Sequence, residues 1–159
     1  MHTVTLKKYE IEMAAWVGIR RNQSSIEKNL RHTAGFNGDS ERINIDGALG
    51  EIAVAKALGI YWDGSVDTWK ADDLRGMQVR ATTHESGRLI IRQNDDDSSR
   101  FVLVVGRCPT FRVVGWIVAA DAKRREYWGS LDPTREPSWN IPQSKLRPMS
   151  ELTTELQAV

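Results

Sequence analysis

FVLVVGRCPTFRVVGWIVA, residues 101 to 119, holds two apolar runs joined by RCPT, in which Pro109 interrupts regular structure. FVLVVG (101–106) and FRVVGWIVA (111–119) therefore read as consecutive strands. Their interiors are apolar enough to be covered on both faces, which selects a mixed α/β core. Just upstream, GMQVRATT (76–83) and RLIIRQ (88–93) have the composition of short strands, and HESG between them reads as a hairpin turn. Asp95, Asp96 and Asp97, followed by two serines, break the pattern and read as a solvated connector. Downstream, AADAKRREYW (119–128) reads as a short helix. Pro133, Pro137, Pro142 and Pro148 then restrict regular structure, so 133–159 is expected to be an irregular extension ending in a helix over 150–156.

The first third is helical. LKKYEIEMAAWVGIRRNQSSIEKNLR (6–31) repeats Ile11, Ala14, Ala15 and Ile19 at helical spacing, a core-facing stripe, with a break expected near Asn22 to Ser25. HTAGFNGDSER (32–42) reads as a loop. Asp46 is then a suitable N-cap for a helix through Leu58, closed by Gly59. Gly47, Gly50, Ala53 and Ala57 lack bulk, so this helix can pack close to a sheet.

The chain of 159 residues carries 22 Lys and Arg against 21 Asp and Glu, for a net charge of +1. At this length one domain, 1–159, is the default. Forty per cent hydrophobic residues and six tryptophans oppose disorder throughout. No apolar run approaches a membrane span and no leading basic-then-apolar signal is visible, so a cytoplasmic protein without a membrane partner is expected. Cys108 is the single cysteine, which excludes an intrachain disulfide and a cysteine-rich zinc cluster. Charge is balanced along the chain, and no strongly basic domain announces a nucleic-acid partner.

Chemistry concentrates in GALGEIAVAKALG (47–59), ADDLRG (71–76) and QVR (78–80). Glu51 lies in a small, apolar helix, where an acidic side chain needs solvent, the helix N-terminus or a cation. Asp72 and Asp73 precede Gly76 and a strand on which Gln78, Arg80, Thr82 and His84 share one parity. Read on residue type alone, the carboxylate pair favours a loop-stabilising or solvated turn. Taken together, a turn Asp, a strand amide and a helix Glu form an oxygen-rich set suited to Mg²⁺. His84 lies about 13 Å along the strand from Arg80 and reads as a turn histidine. His2 and His32 read as structural or exposed.

In these residues the chain resembles the PD-(D/E)XK nuclease superfamily, particularly its small phage-associated or restriction-like members. Glu51 matches the helical Glu, Asp73 the first metal-ligand position and Gln78 the second; Arg80 stands where the family usually has Lys. The resemblance is carried by 47–119 and implies a restriction-endonuclease-like core, a mixed central sheet flanked by helices. It also implies a metal-dependent DNA endonuclease hydrolysing phosphodiester bonds, with Mg²⁺ or Mn²⁺ held by Asp73 and Gln78. Glu51 would hold a second ion or orient its water, and Arg80 a nonbridging phosphate oxygen. A homodimer would follow if two cleavage centres must address two strands. Two departures matter. Gln brings less negative charge than Glu, and Arg stays protonated, so it cannot serve as a general base. A nuclease-fold DNA-binding protein with weakened or lost turnover is therefore the nearest alternative, and a structural or protein-interaction domain a further one. Arg88, Arg92, Arg100, Arg107 and Arg112, with Lys123, Arg124 and Arg125, are candidate phosphate contacts. Trp62, Trp69 and Trp116 are stacking candidates only where exposed.

Overall fold

The computed structural model describes residues 2–28, 39–67 and 72–157. The two apolar runs form β4 (Arg100–Arg107) and β5 (Thr110–Val118), an antiparallel pair. The register shifts between Leu103 and Val104, so that Gly115 and Val113 are the successive partners. That bulge re-aims β5 and lets Val113 and Trp116 reach the same core. β1 (His2–Thr5) pairs antiparallel with β5, and β2 (Met77–Thr82) pairs parallel with β4. The result is a mixed four-stranded sheet in the order β1-β5-β4-β2.

Both faces of this sheet are covered. On one, Val102 and Val104 of β4 and Val79 of β2 pack in a core with α2 (Ser40–Leu58) and with Met149 and Leu152 of α4 (Met149–Gln157). Helix α1 (Lys8–Glu27) packs along α2. On the other face, Phe101, Leu103 and Val105 meet Ala119 and Ala122 of the short helix α3 (Ala119–Ala122). Against the same face lies a second antiparallel sheet, ordered β3-β7-β6, from β3 (Leu89–Ile91), β6 (Trp128–Gly129) and β7 (Ser138–Ile141). The mixed α/β arrangement, a mixed sheet flanked by helices, agrees with strand interiors apolar enough to be covered on both faces.

Two close approaches set the helices. A Cβ on Gly18 would lie 2.5 Å from the Ile45 Cα, so the α1–α2 contact requires glycine there. A Cβ on Gly50 would lie 3.0 Å from the Ala81 Cβ, which brings α2 down onto β2 as the small residues predict.

Several expectations are corrected. HESG turns the chain, with the Gly87 N–H bonded to the His84 carbonyl, but it does not make a hairpin. β2 pairs with β4, while β3 leaves for β7. The side chain of Gln143 holds the turn from outside, donating to the Glu85 and Gly87 carbonyls. The N-cap of α2 lies seven residues before Asp46: it is Asp39, whose Oδ1 accepts from the N–H groups of Glu41 and Arg42. Gly59 closes it in the left-handed conformation, φ 66°. Helix α1 runs unbroken through Asn22 and Ser24, both buried; the Ser40 hydroxyl donates to Asn22 Oδ1, and Ser24 bonds to Asp67. The C-terminal extension is not irregular throughout: β7 joins the second core, while α4, where the helix over 150–156 is expected, joins the first. Residues 32–38 of the expected loop, with His32, lie outside the described residues, as does Trp69.

Candidate functional site

The buried face of α1 and the centre of α2 meet at Glu51, which is only 4 % exposed. Ionised in such a place, a carboxylate must be paired. Arg21 supplies the pair: Nη1 donates to Oε1 at 2.5 Å and Nη2 to Oε2 at 3.0 Å. Trp62 Nε1–H donates to Oε2 at 2.9 Å, and the Arg21 Nε–H is spent on the Ser65 carbonyl at 2.9 Å. Both oxygens of Glu51 are thus engaged by a planar guanidinium in the two-pronged geometry that favours Arg over Lys.

Asp73 lies at the entrance to β2 and accepts the Val79 N–H at 2.7 Å. Burial first, then the negative charge of Glu51, push its carboxyl up to about 6, against weaker opposition from the Val79 hydrogen bond, Arg80 and Arg21. Asp73 is thus within electrostatic reach of Glu51, Arg21 and Arg80.

Gln78 and Arg80 extend from the other face of β2. Their parallel partners are Phe101 and Leu103, whose side chains enter the second core, and the Arg80 guanidinium lies 4.9 Å from the Phe101 ring centre. Gln78 Nε2 donates to Asp72 Oδ1 at 3.3 Å. Arg80 Nη2 donates to both oxygens of Asp95 at 3.1 Å, and Arg80 Nε is buried without a hydrogen-bond partner. Asp95 Oδ2 also accepts the Arg92 N–H at 2.8 Å, bringing Arg92 to the same corner. Asp95 is therefore a clasp between β2 and the turn after β3, not a solvated connector. Asp97 is exposed and pairs with Lys123 at 2.5 Å.

The four sequence candidates thus fall in two groups with Asp73 between them. Glu51 belongs with Arg21 and Trp62; Gln78 and Arg80 belong with Asp72, Asp95 and Phe101. Arg21 and Asp95 are the partners that residue type and motif spacing missed. As a set, Glu51, Asp73 and Gln78 do not fit a divalent ion, because both Glu51 oxygens already face donors. Among the described residues no three His, Cys, Asp or Glu side chains gather as a metal-ligating group.

The cationic candidates divide as well. Arg112 is bonded to Glu85 and Gln143, and Lys123 to Asp97 and the Asp95 carbonyl. Arg88, Arg92, Arg107, Arg124 and Arg125 are exposed, and Arg100 is half-buried. Trp62 and Trp116 are buried and offer no stacking face; His84 is an exposed turn residue whose N–H bonds to Thr82 Oγ1. No helix among the described residues is long and apolar enough to cross a membrane. Comparison with protein-family models, curated proteins and solved structures finds no match.

Proposed function

We propose that this chain is a DNA-binding protein on a nuclease-type, restriction-endonuclease-like scaffold in which phosphodiester hydrolysis is weakened or lost. The observation that carries the reading is the Arg21 clamp on Glu51, with both oxygens of the buried carboxylate in hydrogen bonds to a half-buried cation. Arg80 supports it, since a guanidinium binds a phosphate oxygen but does not take up a proton. Exposed Arg92, whose guanidinium feels the charge of Arg80, adds a second cationic side chain at that corner.

A second reading, a Mg²⁺- or Mn²⁺-dependent DNA endonuclease, is favoured by one observation. Burial first, and then the negative charge of Glu51, raise Asp73, and a divalent cation would offset both once Arg21 released the Glu51 oxygens. Fluorescence anisotropy with labelled linear, branched and single-stranded DNA, run beside a cleavage assay with Mg²⁺ or Mn²⁺, separates the two. Binding that weakens steeply with salt, without metal-dependent product, is the expected result. Metal-dependent cleavage that vanishes in Asp73→Asn replaces the first reading with the second. No binding at low salt overturns both.

A further inference from the structure

The outer face of α1 is a stripe of large side chains turned to water. Tyr9 is 60 % exposed, Met13 48 % and Trp16 62 %, and the next exposed residue on the same line is Arg20. At 100° per residue these four fall within about 60° of arc, over a rise of roughly 16 Å. The opposite face of the helix is already used, with Ala14, Val17 and Gly18 packed inward and Arg21 on Glu51. Scattered single apolar residues on a surface are ordinary, but an aligned row of two aromatics and a methionine is an association surface.

We propose that this stripe pairs with its own copy, two α1 helices packing antiparallel about a two-fold axis between Met13 and Trp16. The stripe is complementary to itself reversed. In that register Tyr9 of one copy faces Arg20 of the other, and Met13 faces Trp16, with both pairs repeated by symmetry. The first is a cation over an aromatic ring and the second a thioether against an indole, both favourable contacts. A parallel pairing would instead place Arg20 on Arg20. The three apolar side chains offer roughly 400 Å² per copy, about half of a standard interface, which places the dimer in the weak, transient class. This inference is independent of any activity toward DNA.

Sedimentation equilibrium of the full chain from 10 µM to 1 mM tests it. The mass should rise toward twice 18.0 kDa, and Trp16→Glu should weaken dimerisation at least tenfold while circular dichroism stays unchanged. The register is tested by disulfide trapping in a Cys108→Ser background. Tyr9→Cys with Arg20→Cys should cross-link between chains, whereas Tyr9→Cys alone and Lys8→Cys, which points away from the stripe, should not. A monomer at every concentration overturns the proposal. So does a dimer indifferent to Trp16→Glu, which would be built on another face, and so does trapping by Tyr9→Cys alone, which would mean a parallel pair.

Discussion

Arg21 and Glu51 form a buried ion pair, with side chains 18 % and 5 % exposed, so removing one partner strands the other. Arg21→Met should cost about 3–5 kcal/mol in urea unfolding, whereas joining it to Glu51→Leu should recover much of the loss. Arg21 was discernible in principle. It falls four residues after Val17 and three after Gly18 on the inward face of α1, and a cation on that face demands an anion from the facing helix. Nuclease spacing led to Glu51 but contains no position for its partner, which comes from another helix 30 residues away. Asp73 carries a pH signature of its own. Its carboxyl is raised from an ordinary 3.8 to about 6 in the folded protein, so its contribution to stability is full below pH 3.8 and is lost as pH rises through 6. Asp73→Asn keeps an acceptor for the Val79 N–H and lacks this loss. The variant's stability relative to wild type should therefore increase from pH 4 to pH 7, by about 1–2 kcal/mol after allowance for partial solvation, measurable in paired thermal melts.

Among the elements, the α1–α2 contact is the most sensitive to volume. Gly18→Ala would set a methyl carbon 2.5 Å from backbone rather than from a side chain that could rotate away, so the helices must separate. A loss of about 1–3 kcal/mol, with a lower urea midpoint, is expected. The elements that local pattern revealed are those with a local cause. Gly59 ends α2 because only glycine adopts its φ cheaply, and β4 and β5 are hydrophobic runs joined by a short turn. The elements it concealed depend on distant partners. β7 reads as irregular because Ser138 and Asn140 are polar, yet both are buried, and Asn140 Nδ2 satisfies the Gly129 and Ser138 carbonyls. The HESG turn likewise invites a hairpin, and only the pairing of β3 with β7, some 50 residues on, shows where that strand goes. The Asp39 cap was hidden for a simpler reason: Asp46 offers the same chemistry about two turns further along the helix.

At the scale of the whole molecule, the C-terminal segment closes the first core. Met149 and Leu152 are fully buried, and Trp116, in the last third of β5, donates its indole N–H to the Pro148 carbonyl at 3.1 Å. Leu152→Ala should therefore cost about 2–5 kcal/mol, as for a central residue, and lower the melting temperature of the whole domain in one transition. A tail that merely trailed over the surface would leave both unchanged. The order β1-β5-β4-β2 also leaves β2 as a border of the main sheet, and there Asp73 holds the Val79 N–H. An unclaimed amide on such a border is an invitation to a stray strand from another molecule, and a carboxylate seated on it both occupies the donor and repels the newcomer. Asp73→Ala should accordingly turn turbid on gentle warming where Asp73→Asn stays clear, so aggregation, read by light scattering, would report a guard on the open margin of the sheet.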